Sequence, residues 1–287
     1  MTPAPQPGNP DPKPVDPAPV PPLTIDISRN QNGGAGFTTA QFEAFKASGV
    51  GTVIAKLLGA NNEKYLLYSE LVHQDNARRA GMKIGHYIAN GPFGTPIQIA
   101  KAAKATGQVR PGETFWLDVE DWPEDDVRRW TPEECKAVVL AMRDEFKPLN
   151  EQGIYLNLNL ANNGGYRPVM DELGLKLWLA AYTDAPVVLL EGGWDRKPEL
   201  WQFTSDSIPS LRKVYDAPLD VNRSGTVVWL VSDLQTALNK ANGSSLLVDN
   251  DKGPKTVAEI RTFQTNQKLK VDGMAGPVTL TRLFEVA

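Results

Sequence analysis

One cysteine, Cys135, and two histidines, His73 and His86, are all that the 287 residues hold of these types. A lone cysteine excludes an intrachain disulfide and fits a protein made in a reducing compartment. So few histidines argue against a zinc centre, which gathers His with Cys, Asp or Glu. No metal and no cofactor are therefore expected. Basic residues are also in short supply. The 30 Lys and Arg against 34 Asp and Glu leave a net charge of −4, where a nucleic-acid-binding protein would show a basic stripe. No run of about 18 apolar residues occurs, so no membrane insertion is expected. The first residues lack the basic start and apolar centre of a secretory signal.

Proline, by contrast, is concentrated. Ten of the 23 prolines lie in residues 1–22. That density precludes helix and sheet ladders, and the segment reads as a disordered or semi-rigid linker. From Leu23 the chain alternates β-branched or aromatic runs with amphipathic stretches. Strand candidates are LTIDIS from Leu23, GTVIAKLL from Gly51, KIGHYIAN from Lys83, TFWLDVE from Thr114 and GIYLNLN from Gly153. LKLWLAAY from Leu175, ELWQFTS from Glu199 and APLDVN from Ala217 follow. TPEECKAVVLAMRDEF is the clearest helix: Thr131 can cap it, Pro132 sits at its first position and Glu134 completes a capping box. Strand–helix alternation predicts an α/β fold with a parallel sheet and right-handed crossovers, and eight strands predict closure. The spacers after the sixth and seventh strands are short and carry Gly, Pro and Ser. The expectation for 23–225 is thus an irregular (βα)5β3 TIM-like barrel.

The tail, residues 226–287, changes character. VVWLVSDLQTALNKANG reads as one helix. An internal repeat follows: LVDNDKGPKT at 247–256 matches KVDGMAGPVT at 270–279, with Val-Asp, Gly-Pro and Thr in register. Each Pro can open a helix. A small all-α three-helix domain is predicted, and the barrel through residue 225 is expected to fold without it.

FWLDVEDW, residues 115–122, is an apolar run that carries its own carboxylates. Strand alternation puts Trp116, Asp118 and Glu120 on one face and Leu117 and Val119 on the other. If the second face meets the helices, Asp118 and Glu120 line the barrel near its C-terminal mouth, where barrel active sites are built. Two close carboxylates in a partly dry cleft resist joint ionisation, so one pKa should rise. The acid so held can protonate a glycosidic oxygen. Asp26 and Asp220 end other strands and would join them, although an Asp there can also simply open a loop. Tyr87 and Tyr182 fall on the same inward face, beside Gly85, Ala89 and Ala180. They suit either a stacked sugar or plain core packing. Small neighbours leave room for a ligand. Tyr155 and Asn222 complete the candidate substrate contacts. Cys135 lies on an apolar helix stripe and His86 points toward the helices, so neither is expected in catalysis.

IDISRNQ, WLDVEDW, LWLAAY, LWQFTSD and LDVN, in this order, resemble the glycoside hydrolase family 25 lysozymes over roughly residues 23–223. The tail resembles the three-helix peptidoglycan-binding domain of wall hydrolases. The resemblance implies a (βα)5β3 barrel and N-acetylmuramidase activity on bacterial peptidoglycan. It implies Glu120 as general acid, Asp118 as its partner, and Asp26 and Asp220 as further acidic mouth residues. An Asp-x-Glu pair on a strand is similar to that of enzymes whose substrate's 2-acetamido group attacks the anomeric carbon; water activated by Asp26 or Asp220 is the alternative. The combination resembles a phage endolysin, a monomer made in the host cytoplasm without a signal peptide and reaching the wall through a membrane lesion. The mature form of a secreted enzyme would look the same. A catalytically silent wall-binding protein, or a hydrolase of another amino-sugar polymer such as chitin, are the competing readings.

Overall fold

The computed structural model describes residues 22–28, 31, 35–61, 64–67, 72–90, 94–121, 128–147 and 151–287. The Pro-rich linker predicted for 1–22 lies outside these residues, apart from Pro22. Five strand–helix units come first. They are β1 (Leu23–Ile27) with α1 (Thr39–Ala47), β2 (Val50–Asn61) with hairpin strand β3 (Lys64–Leu67) and α2 (Val72–Arg79), and β4 (Lys83–Ala89) with α3 (Pro96–Ala105). Then come β5 (Thr114–Asp118) with α4 (Pro132–Glu145), and β6 (Gln152–Asn157) with α5 (Leu158–Asn163) and α6 (Arg167–Leu173). Helix starts are written locally. Thr38, Thr95 and Thr131 each cap a helix, with Gln41, Gln98 and Glu134 closing the capping boxes. The predicted apolar stripe of α4 is buried at Cys135, Val138, Val139 and Met142.

Three barrel strands follow with little helix between them. They are β7 (Lys176–Ala180), then, beyond the short strand β8 (Val188–Leu190), β9 (Leu200–Thr204), and, after the four-residue α7 (Pro209–Arg212), β10 (Asp220–Ser224). The sheet runs β1-β10-β9-β7-β6-β5-β4-β2-β3, and β1 also pairs with β2, which closes an eight-stranded barrel with β3 as an outlying hairpin strand. The expected (βα)5β3 architecture is the one observed. It departs from a wholly parallel sheet at β10, which pairs antiparallel with both β9 and β1. An antiparallel neighbour needs no helical crossover, and the connection from β9 to β10 carries only the single-turn α7. The reversal brings the first residue of β10, rather than its last, to the C-terminal mouth, and Asp220 stands opposite Asp26.

Alternation sorts the side chains as predicted. Phe115, Leu117 and Val119 join the outer core beneath α3 and α4. Trp116 turns inward with Ile54, Tyr87, Tyr155 and Trp178. Gly85 and Gly153 do not reserve space for a ligand. A Cβ on Gly153 would lie 2.2 Å from the Trp116 ring, and one on Gly85 2.5 Å from Thr114 Oγ1. Barrel side chains already occupy that space.

The tail comprises β11 (Val228–Leu230), α8 (Val231–Asn242), α9 (Pro254–Asn266) and α10 (Pro277–Val286). The stretch predicted as one helix is therefore a strand followed by a helix. β11 pairs in parallel with β8, giving a two-stranded ribbon between two cores. Val188, Leu190, Val228 and Leu230 face the barrel core. Val187, Leu189 and Trp229 face the tail core of Leu234, Leu238, Ile260, Phe263, Leu280 and Leu283. Burial on both faces explains the unbroken apolar run VVWLV, which periodicity cannot tell from a helix. It also places Val228 and Leu230, beyond the expected boundary at residue 225, in the barrel's own core.

Within the tail the repeat has a matching interior. Gln235 accepts hydrogen bonds from Asp249 N (3.1 Å) and Asn250 N (3.0 Å) and donates to Asp249 Oδ1, Asp251 O and Thr256 Oγ1. Gln264 does the same with Asp272 N (3.1 Å), Gly273 N (2.9 Å), Asp272 Oδ1, Met274 O and Thr279 Oγ1. Gly273 and its counterpart Asn250 both take positive φ, 76° and 63°. Asn tolerates that conformation. Here it also gains contacts, because Asn250 Nδ2 donates to Trp194 O at 2.6 Å and its Oδ1 accepts from Ser232 N at 3.0 Å. Lys252 pairs with Glu191 at 2.6 Å. The first repeat departs from the second where it is bound to the barrel.

Candidate active site

A cavity of about 270 Å³ opens at the barrel mouth, lined in part by Asp26, Lys56, Tyr87, Asp118, Glu120, Tyr155, Trp178, Tyr182, Gln202 and Asp220. Seven of the eight residues anticipated from sequence are thereby brought together. The eighth, Asn222, is fully buried and lies under the cavity rather than on its wall. Inward-pointing Asn222 is too deep to touch a substrate, and it supports Asp26 instead.

The floor is a chain of aromatic and amide groups. Trp178 sits at its centre, edge-on to Trp116 at 5.7 Å and to Tyr155 at 4.8 Å between ring centroids. Its indole N–H donates to Asn222 Oδ1 at 2.6 Å. Asn222 Nδ2 donates to Asp26 Oδ2 at 2.7 Å, and Gln202 Nε2 donates to the same oxygen at 3.0 Å. Gln202 Oε1 in turn accepts from the hydroxyls of Tyr155 (2.9 Å) and Tyr182 (2.6 Å). Glu120 follows the end of β5, and its backbone N–H is tied to Asn90 Oδ1 at 2.7 Å. The helices' side of β5 is apolar, so the carboxylates can only face inward.

Burial dominates the electrostatics. Asp26 is pushed up to about 6 by desolvation, against the two amide hydrogen bonds that favour its charged form, with Glu120 adding repulsion. Asp220 is pushed up to about 8 by desolvation and by the charges of Asp26 and Glu120. Asp118 is held well above the usual carboxylate range by burial and then by Glu120, with Lys56 opposing. Its Oδ1 is buried and has no hydrogen-bond partner among the described residues. Glu120 is also raised by burial, against the Tyr155 hydroxyl and Lys56. A cluster of carboxyls that keep protons toward neutral pH is chemically an acid store, suited to protonating a leaving oxygen.

Lys56 and Gln202 were missed as site residues. Lys56 stands inside the apolar run VIAKLL, with its ammonium 5.6 Å from the Tyr87 ring centre. A lone cation in a buried strand was the available signal. Gln202 lies within LWQFTSD, but its role depends on cross-barrel partners. Outside the mouth, Cys135 is buried in the outer core, and burial pushes its thiol up. His86 is bound to Glu113 at 2.8 Å, away from the cavity lining. Asp121 pairs with Arg129.

The family model of the glycosyl hydrolases family 25 matches residues 25–210. The chain belongs to glycosyl hydrolase family 25. It is thus a glycosidase, and its fold is that of the family. A muramidase from Acremonium alcalophilum is 18% identical, with 71% of this chain and 93% of that one covered and a TM-score of 0.50. The Streptomyces coelicolor lysozyme is 17% identical over 71% and 91%, also at 0.50. A family 25 lysozyme from Aspergillus fumigatus is 22% identical over 70% and 92%, again at 0.50. No curated protein matches. Residues 230–283 match the model of a peptidoglycan binding domain, so this family 25 member joins its barrel to a tail of that type.

Proposed function

We propose that the chain cleaves the β-1,4 bond between N-acetylmuramic acid and N-acetylglucosamine in bacterial peptidoglycan. The observation that carries this reading is the cavity in which Asp118 and Glu120, both raised by burial, share one wall of a barrel joined to a peptidoglycan-binding tail. Glu120 protonates the leaving oxygen. Asp118 steadies the substrate's acetamido group as its oxygen attacks the anomeric carbon and the bond to the leaving sugar breaks; water, giving its proton to the Glu120 carboxylate, then displaces the acetamido oxygen with overall retention. Two features disfavour a water-activating base. Asp220 is pushed up to about 8 by burial and by the charges of Asp26 and Glu120, which favours its protonated form at neutral pH. Asp26 has one oxygen occupied by both Asn222 and Gln202. A muramidase barrel with a wall-binding tail suits phage-induced host lysis. Mass spectrometry of digested peptidoglycan is the test: N-acetylmuramic acid should appear at the new reducing ends. N-acetylglucosamine there would reject the bond assignment, and no new ends would favour a silent wall-binding protein.

A further inference from the structure

A second concavity, of about 510 Å³, lies between the barrel and the tail. Asn157, Asn159 and Ala185 line its barrel side, and Ala275 and Pro277 its tail side. Tyr182 lines both this groove and the catalytic cavity, so the two spaces meet at one side chain. Tyr182 is 55% exposed, and its hydroxyl is anchored on Gln202 at 2.6 Å. It forms a fixed ridge between them.

We propose that this groove binds the peptide stem of the muramic acid residue held at the mouth, an inference that rests on the muramidase reading above. The stem leaves the sugar sideways, through its lactyl ether. The groove likewise leaves the mouth sideways, from the C-terminal ends of β6 and β7, where Asn157 and Ala180 stand. Its walls are chiefly small aliphatic groups with interspersed side-chain amides, which match a peptide of small methyl-bearing residues. The oxygens of Asn157 and Asn159 are used within α5, by Leu160 N and by Asn163 Nδ2. Each amide therefore has N–H groups to offer a peptide carbonyl. Glu191 at the edge is neutralised by Lys252. A longer run of glycan would call for stacking aromatic rings, and among the described residues Tyr182 is the one aromatic side chain in the lining. The volume falls within the roughly 300–1,000 Å³ of sites that enclose small ligands. The far wall belongs to the segment that matches a peptidoglycan binding domain.

The test uses the full chain and two glycans of equal length, one carrying stem peptides and one stripped of them. Two groove-filling variants come from opposite walls: Asn159→Trp on the exposed side of α5, and Ala275→Trp on the tail. The wild type should favour the stem-bearing glycan by about tenfold in kcat/KM, the scale of a few small apolar contacts. Both variants should lose that preference while cleaving the stripped glycan at the wild-type rate. Calorimetric titration with free lactoyl-tetrapeptide should show binding to the wild type and none to either variant. Equal cleavage of both glycans by the wild type would overturn the proposal, as would variants that slow both alike. If neither glycan is cut, the muramidase reading fails, and the titration decides the groove: absence of peptide binding overturns it as well. Thermal melts of the variants identify any that misfold, and the other wall's variant then carries the result.

Discussion

The barrel mouth and the tail repeat both bury polar groups, and they treat them in opposite ways. In the repeat, each buried glutamine has its carbonyl and amide engaged at 2.7–3.2 Å by loop atoms and by a threonine in the first turn of the next helix. Asp249 and Asp272 are held below the usual carboxylate range there, Asp249 chiefly by Gln235 and Asp272 by the Met274 N–H and then Gln264. At the mouth, four carboxyls are raised by burial and Asp118 Oδ1 is left unpaired. Satisfied networks hold a shape, whereas a partly satisfied one keeps interaction energy in reserve for a ligand.

The contrast predicts a clean exchange of phenotypes. Glu120→Gln should lose roughly 10²–10⁴-fold in wall-lytic rate, the usual worth of general acid catalysis, with no fall in its melting midpoint. Near-wild-type lysis by the folded variant would remove Glu120 from the mechanism. Gln264→Leu should do the reverse. Two loop N–H groups lose their acceptor, which costs on the order of 3 kcal/mol, while turnover on short soluble glycans is retained. An unaltered denaturation midpoint would show that the clamp is ornamental.

The two regions should also respond to pH with opposite sign. A carboxyl raised on folding binds its proton more tightly in the native state, so its stabilisation is complete below the unfolded pKa and is lost as pH rises through the folded one. For Asp26, moved from 3.8 to about 6, that is about 3 kcal/mol lost between about pH 4 and pH 6. For Asp220, raised to about 8, the decline continues toward pH 8. The lowered Asp249 and Asp272 stabilise at neutral pH and lose that effect in acid. Asp26→Asn, which still offers an oxygen to Asn222 and Gln202, should flatten the decline above pH 4, and Asp272→Asn should flatten the acid side alone. Melting midpoints across pH 3–8 separate them, and identical slopes in both variants would refute the contrast. The smallest effect concerns Lys56. Lys56→Met removes a charge that lowers Glu120, so the basic limb of kcat/KM should move to higher pH by a fraction of a unit. Movement to lower pH would mean that Lys56 acts on another group.

Much of this was legible because period-2 alternation in FWLDVE assigns faces without reference to tertiary structure, and because paired Val-Asp and Gly-Pro positions expose a duplication. The remainder depended on partners distant in sequence. The reversed direction of β10 leaves no mark on the alternation of PLDVN, so Asp220 reached the mouth by a route the parallel reading did not foresee. Asn222 shares the inward face with true lining residues, and depth alone separates it from them. Gln235 and Gln264 look like ordinary helix residues until the loops they hold are in place. β11 was hidden because a ribbon buried on both faces has no alternation to read.

The β8–β11 ribbon bears on how such enzymes can be recombined. Its two strands are nearly forty positions apart, one inside the connection after the barrel's sixth strand and one at the start of the tail. A transplanted tail joined at residue 225 would bring a new β11 to meet a foreign β8, with Asn250 and Lys252 facing a surface they were not matched to. The heritable cassette is thus discontinuous: residues 187–194 travel with 228–287. Chimaeras that exchange both pieces should yield soluble protein where exchange of the tail alone gives aggregates.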